Sequence, residues 1–344
     1  MKYRRTKLSD DVKTFDCLFF HKKAELVRLV EQFTNKTGKY AIKGYPTKLG
    51  ILLHGEPGTG KTSIIKAIAE KTGRSLVNVP LAKISSNSEL ASLFFNQKYH
   101  IDGEDMPIPL TFDDVIFVLE DIDAISHIVK KRDGSIELHP QNHKKRDELN
   151  LSGILNVLDG VVDTPGRLLI MTTNHPEVLD PALLRPGRID KRMHLTYITA
   201  EDMAAMIGHC FEREVNEEDF KRLKFAMNGN RSDCIPLKIT PAEVEQMAHY
   251  DYKTMEEVIT AIEDHADLLK LALNELDKGP DIIMTSEEKN LWQCSRDQFS
   301  TRSHSFLRSW LEKVRAARTR STRSPSSRRS WLEKVRVRMN LKES

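Results

Sequence analysis

The sequence has no long apolar segment and few cysteines. Its longest apolar runs have about five residues, such as 115–119, whereas a membrane-spanning helix needs about 20. The four cysteines include no CxxC pair of the metal or redox kind. The basic N-terminus has no apolar segment of the kind that a secretory signal contains. These absences exclude an integral membrane protein for this sequence, and they favour a soluble protein of a reducing, intracellular compartment over a disulfide scaffold.

The charges are distributed unevenly along the 344 residues. The formal net charge is +3, but residues 296–344 carry a balance of +10 and residues 1–295 a balance of −7. An acidic body gives no general reason to expect nucleic-acid binding. A nucleic-acid partner is therefore disfavoured, and any case for one depends on the basic tail.

Short apolar strands alternate with helical segments over the first two thirds of the chain. The runs 115–119 and 168–172 are apolar throughout, which is typical of central strands covered by helices on both faces. After residue 199 only helical patterns follow, over 200–211, 217–227, 240–249 and 252–276, and Thr240 and Glu243 at the start of the third are spaced as in a capping box. The predicted fold class is α/β, a parallel sheet sandwiched by helices and followed by a small all-α lid. The predicted domains are a lead-in with an amphipathic helix (1–48), the α/β domain (49–199), the lid (200–276) and a Ser/Arg-rich tail expected to be partly disordered (277–344).

A phosphate-binding motif lies between a predicted strand and a predicted helix. The segment Gly55–Thr62 matches GxxxxGK[ST], and its flanks are those that the motif requires. Backbone amides and the helix N-terminus would surround the phosphates of ATP, Lys61 would neutralise them, and Thr62 would bind Mg²⁺. The predicted nucleotide-binding residues are Gly55, Glu56, Pro57, Gly58, Thr59, Gly60, Lys61, Thr62 and Ser63. The fold is therefore predicted to be that of a P-loop NTPase.

Polar residues follow the next two apolar strands. Glu120 and Asp121 come directly after 115–119, at the edge where such sheets bind ligands. One carboxylate is predicted to complete the Mg²⁺ site and the other to activate water; a cluster of acids at a helix start is the alternative. Asn174 follows 168–172 and is predicted to bind the γ-phosphate or the attacking water, although an asparagine there is often only a turn residue.

Two arginines, Arg185 and Arg188, lie in a segment bounded by proline and glycine. An arginine can stabilise the charge that develops during phosphoryl transfer. Judged from spacing alone, a pair of surface arginines in salt bridges is the stronger interpretation.

Together these motifs resemble the AAA ATPase family. The segments 44–46, 120–124, 151–160 and 171–188 are similar to the branch of the mitochondrial chaperone that assembles the Rieske iron–sulfur protein, over roughly 15–276. The resemblance implies that Glu120 binds Mg²⁺, that Asp121 activates water and that Asn174 is the sensor. It also implies that Arg185 and Arg188 reach the nucleotide of a neighbouring subunit.

The resemblance therefore implies an ATP-hydrolysing homo-oligomeric ring, hexameric or heptameric, that remodels or translocates a protein client. The compartment stays open: a soluble intracellular protein is favoured, and only the resemblance makes a mitochondrial location an alternative. The pair Glu120 and Asp121 stands in the reverse order of the main AAA branch, an order that is itself typical of this branch. About 50 residues precede the phosphate loop, so we expect neither the anchor nor the N-terminal domain of the chaperone.

Several alternatives stay open. The chain could be an ATP-dependent assembly scaffold with little turnover, or a nucleic-acid motor that uses its tail. The segment Phe94–Asn96 lies where ring translocases carry a pore loop, but packing of these phenylalanines against a helix face is favoured. In the tail, the segment 309–315 recurs as 330–336. Each copy could form a basic amphipathic helix that binds an acidic partner, RNA or an anionic membrane. The alternative is a duplication without function.

Overall fold

A computed structural model describes residues 13–45, 47–102, 105–125, 147–228, 237–277, 307 and 309–312. The chain divides into two compact units, Met1–Asp202 and Met203–Ser344. The predicted boundaries at 48, 199 and 276 stay predictions. Most of the charged segment 130–150, including His139 and His143, lies outside the described residues, as do most of the basic tail and the two cysteines Cys234 and Cys294.

The first unit is built on a five-stranded parallel sheet, which confirms the α/β prediction. The strand order is β2-β5-β6-β1-β7, and every neighbouring pair is parallel. A small antiparallel pair, β3 and β4, lies apart from this sheet. The strands are β1 (Leu49–His54), β2 (Ser75–Asn78), β3 (Lys98–Tyr99), β4 (Ile108–Pro109), β5 (Val115–Leu119), β6 (Leu168–Thr173) and β7 (Lys191–His194).

Helices cover both faces of the sheet. The helices that do so are α1 (Lys23–Thr34), α2 (Lys61–Thr72), α3 (Asn87–Phe95) and α4 (Leu151–Asp159). The helices that follow in the chain are α5 (Ala200–Cys210), α6 (Glu217–Asn228), α7 (Pro241–Gln246) and α8 (Met255–Asp277). Successive residues of β1 point to opposite faces. Ile51 and Leu53 therefore pack with α1 and α2 in one core, whereas Leu52 packs with α3 and α4 in the other.

The strand register determines which loops meet at the carboxyl edge of the sheet. His54 at the end of β1 pairs with Thr173 at the end of β6. Leu119 at the end of β5 pairs with Met171 of β6. The three loops that follow these strands therefore start at nearly the same level, which is where open parallel sheets bind ligands.

Three strands differ from the sequence predictions. β3, β4 and β7 were not predicted, because the first two have only two residues each and β7 has the polar sequence KRMH. Met193 is the only buried residue of β7, so this edge strand shows almost no hydrophobic signal. Phe94 is buried, and its ring stacks on that of Phe117 at 4.3 Å between centroids. The prediction that Phe94 packs in the core is confirmed.

The second unit is helical in its described part. Thr240 and Glu243 form the predicted capping box at the start of α7. The predicted helix over 240–249 is instead interrupted after Gln246, where a π-helix, Met247–Asp251, follows. The helix predicted from Tyr252 begins at Met255. Arg222 of α6 binds Glu256 and Glu263 of α8 at 2.8 and 2.7 Å, which links these two helices. None of the helices in the described residues combines the length and apolarity needed to cross a bilayer.

A buried arginine closes the C-terminal end of α4. Arg167, which is 3% exposed, donates from Nη1 to the Val157 carbonyl at 2.9 Å and from Nη2 to the Leu158 carbonyl at 2.5 Å. Burial lowers the pKa of Arg167 to about 10, so the guanidinium stays charged at neutral pH. A cation at this position also interacts favourably with the helix dipole.

We therefore expect Arg167→Ala to lower the free energy of unfolding of the first unit by about 3 kcal/mol, because two buried carbonyls lose their donors. Urea unfolding followed by circular dichroism would measure the loss. Arg28→Ala, at an exposed position of α1, is the matched control and should change the free energy by less than about 0.5 kcal/mol. Equal effects of the two substitutions would contradict a structural role of Arg167.

Candidate functional site

The phosphate loop connects β1 to α2 and is tightly constrained. A Cβ atom on Gly55 would lie 1.9 Å from the Leu195 carbonyl oxygen, so this position accepts only glycine. Gly60 has φ 91° as the N-cap of α2, a backbone conformation that glycine adopts without steric cost. The loop therefore delivers the chain directly into the N-terminus of α2, where free backbone amides attract anions.

Lys61 and Thr59 bind the loop backbone. The Lys61 ammonium donates to the carbonyls of Gly55 and Glu56 at 2.7 and 2.9 Å. The buried Thr59 hydroxyl donates to the same Glu56 carbonyl at 2.8 Å. Burial lowers the pKa of Lys61, and the carboxylates of Asp121, Glu56 and Asp123 oppose this shift. The ammonium group is thus held against the loop backbone, and these three carboxylates are close enough to stabilise its charge.

Thr62 and Glu120 are brought together although they lie 58 positions apart. The Thr62 hydroxyl donates to Glu120 Oε1 at 2.9 Å. A hydroxyl and a carboxylate are the hard oxygen ligands that Mg²⁺ takes in nucleotide sites. The donor set therefore fits the metal that the sequence predicts, with Thr62 and Glu120 as its protein-side partners.

Asp121 has an unusual backbone conformation. Its φ is 48°, in the left-handed region where aspartate and asparagine are several-fold enriched over other non-glycine residues. Its backbone N–H donates to the Thr172 hydroxyl at 2.9 Å. This conformation favours a short acid at 121, which gives a physical reason for the order Glu120 then Asp121.

Asn174 lies at the end of β6, beside a third acid of the 120–123 segment. Its backbone N–H donates to Asp123 Oδ1 at 3.3 Å, and the Thr173 hydroxyl donates to the same oxygen at 2.6 Å. Asp123, Thr172 and Thr173 were absent from the predicted site. The sequence contains these residues in plain view, as the third acid of the 120–123 segment and the two threonines before Asn174. No local pattern indicates that the acid and the threonines are in contact.

The two arginines of the 180–190 segment differ in their surroundings. Arg188 donates from Nη1 to the Ala182 carbonyl at 2.6 Å, and its Nε lies 4.0 Å from Asp159 Oδ2. Its side chain is only 16% exposed. The Arg185 side chain is exposed. The structure thus shows Arg188 in contacts within its own chain and Arg185 at the surface.

A stacked histidine pair adjoins the phosphate loop. The rings of His54 and His194 lie 4.9 Å apart at an interplanar angle of 8°. Burial is the largest cause of a lowered pKa of His54, and His194, Arg192 and Lys61 add to it. The imidazole before Gly55 therefore favours its neutral form. Sequence reasoning missed this pair, because the two histidines meet only through the register of β1 and β7.

The fold and the loop geometry define a P-loop NTPase. Residues 51–197 match the family described as "ATPase family associated with various cellular activities (AAA)". An AAA-ATPase of Arabidopsis thaliana is 32% identical over 233 residues, 65% of this chain and 45% of that protein. A second one is 33% identical over 232 residues, 67% of this chain and 46% of that protein.

The human mitochondrial chaperone BCS1 is 34% identical over 181 residues, which is 53% of this chain and 39% of that protein. The chain contains an AAA ATPase domain and is related to AAA-ATPases of the BCS1 type, as the sequence motifs predicted. It spans less than half of the length of each of these relatives.

Proposed function

We propose that this chain hydrolyses ATP in a homo-oligomeric ring and uses the cycle to remodel a protein client. One observation carries the proposal. The phosphate loop, the Thr62–Glu120 contact, Asp121 and Asn174 lie at the carboxyl ends of three adjacent parallel strands, β1, β5 and β6. This arrangement brings phosphate-binding, metal-binding and water-orienting groups to one place, and phosphoryl transfer depends on such positioning.

The proposed residue roles combine this arrangement with the resemblance to AAA ATPases. Backbone amides of residues 55–63 and the Lys61 ammonium bind the phosphates. Thr62 and Glu120 hold Mg²⁺, which neutralises charge on the phosphate oxygens when it is bound. Asp121 accepts a proton from the attacking water, and Asn174 hydrogen-bonds the γ-phosphate or that water.

The ring is the part of the proposal that depends on Arg185. AAA proteins usually form rings, and the exposed Arg185 side chain is available to the nucleotide of a neighbouring copy. Arg188, which binds the Ala182 carbonyl in its own protomer, would act mainly by holding the segment that carries Arg185. Client remodelling is supported by the relation to the chaperone BCS1.

We expect Arg185→Ala to lower the rate of phosphate release about a thousandfold or more, the range known for arginine fingers. Its thermal midpoint should be unchanged, because the side chain is exposed. Arg188→Ala is the comparison variant. It should lower both the turnover and the thermal midpoint, because its hydrogen bond to the Ala182 carbonyl is lost.

A mixing experiment tests whether the arginine acts between protomers. Arg185→Ala and Asp121→Asn proteins should each be inactive alone. In co-assembled rings, an Arg185→Ala protomer keeps Asp121 and can receive the intact Arg185 of an Asp121→Asn neighbour, so activity should reappear. Mixtures that stay inactive while co-assembly is demonstrated, or isolated monomers as active as rings, would refute the proposed ring mechanism.

A further inference from the structure

We propose that Asp123 is a positioning residue for hydrolysis: together with Thr173 it fixes the turn that presents the Asn174 amide to the reacting phosphate. The inference rests on the proposed function and adds a residue to its site. Asp123 is outside the phosphate loop, the acidic pair and the arginine segment, and it would touch neither nucleotide nor metal.

The hydrogen bonds around Asp123 converge on one atom. Its Oδ1 accepts from the Thr173 hydroxyl at 2.6 Å and from the Asn174 N–H at 3.3 Å. The Thr173 oxygen in turn accepts from the His175 N–H at 3.0 Å. Thr173 is 0% exposed, and the three bonds around it are partly buried, which makes them stronger than bonds in open water. The carboxylate thus binds the Asn174 backbone directly and the His175 backbone through the Thr173 hydroxyl.

The Asn174 side chain needs such support. Its Oδ1 is buried and has no hydrogen-bond partner among the described residues. A buried acceptor without a donor costs about 1–3 kcal/mol, and such exceptions occur where function requires them. The Asp123 carboxylate supplies hydrogen bonds that hold the turn carrying this acceptor.

The same end of β6 also holds the proposed base. The Thr172 hydroxyl accepts from the Asp121 N–H at 2.9 Å, and Thr172 is 2% exposed. Two adjacent threonines therefore hold the site: Thr172 binds Asp121, and Thr173 binds Asp123, which in turn binds the Asn174 N–H. The loops after β5 and β6 are joined across 51 and 50 positions of sequence, so the distance between base and sensor depends on both bonds.

Four variants separate positioning from charge. Asp123→Ala and Thr173→Val remove the bonds, whereas Asp123→Asn and Thr173→Ser keep an acceptor and a hydroxyl. At saturating MgATP we expect the first two to lower the rate of phosphate release about 10- to 100-fold, since small misplacements near the reacting atoms have effects of this size. The two conservative variants should stay within about threefold of wild type. The Kd for ATP should change less than about threefold in all four.

The outcomes distinguish this inference from the proposed function. Asp163→Ala, at an exposed acid, is the control and should equal wild type. Equal losses in Asp123→Asn and Asp123→Ala with a fully active Thr173→Val would show that the charge acts directly and would overturn the positioning role. Should Asp123→Ala not fold, the comparison of Thr173→Val with Thr173→Ser decides alone. Asp121→Asn, measured in parallel, fails to hydrolyse ATP if the proposed function holds, whatever the Asp123 variants do.

Discussion

Asp121→Asn should abolish phosphate release while ATP remains bound. The substitution removes the carboxylate that we propose accepts the proton of the attacking water, and general bases contribute about 10²–10⁴ in rate. Asparagine suits the left-handed backbone at 121, where φ is 48°. The fold and the Thr172–Asp121 hydrogen bond should therefore persist. Phosphate release under saturating MgATP and ATP binding by fluorescence would measure the two effects separately.

The control for this variant is Asp163→Asn, which makes the same chemical change at an exposed position of the same unit. It should release phosphate as wild type does. If wild type releases no more phosphate than Asp121→Asn at protein concentrations where rings form, the chain is an ATP-dependent scaffold, the alternative that the sequence left open. The Asp121→Asn protein with ATP should also retain clients, which a pull-down would identify.

Lys61→Ala should weaken ATP binding about 10- to 100-fold. The ammonium is the positive side chain of the phosphate loop, and a hydrogen bond to a charged group contributes about 1.5–3 kcal/mol. The same group donates to the carbonyls of Gly55 and Glu56, so the loop also loses two internal bonds. Isothermal titration with a slowly hydrolysed ATP analogue would measure the change in Kd.

Lys66→Ala is the matched control, because Lys66 lies on the exposed face of the same helix, α2. It removes an equal charge from the same helix and should leave the Kd within about twofold, since exposed charges near a site are screened by salt. If Lys61→Ala binds ATP as tightly as Lys66→Ala does, the loop at 55–63 is not the phosphate site and the proposed function fails.

Several elements could be predicted because their signals are local. Ile116 and Phe117 belong to a continuous apolar run, and this run is the fully buried strand β5. Thr240 and Glu243 stand three positions apart and form the capping box. In contrast, β7 was missed because three of its four residues are not buried, and the interruption of the predicted helix at the π-helix has no signal in the sequence pattern.

The side-chain contacts of the site could not be predicted either, because they too have no local signal in the sequence. Thr62 meets Glu120 across 58 positions, and Thr173 meets Asp123 across 50. Which of several polar residues meet is decided by strand order and register, and these are long-range properties of the sheet. The sequence therefore predicted that acids follow β5 at the site. The structure was needed to show that one of them, Asp123, binds the turn at Asn174.

By itself, the sequence predicted the phosphate loop, because the glycines and Lys61 of its motif lie within the seven successive residues 55–61. It also determined the class of fold, because strand and helix periodicities are local. Only the tertiary structure decided that Arg185 is exposed while Arg188 binds the Ala182 carbonyl of its own chain, and that Thr172 and Thr173 of β6 bind Asp121 and Asp123. Those features arise where segments distant in sequence are brought to one edge of the sheet, and short-range patterns carry no information about that pairing.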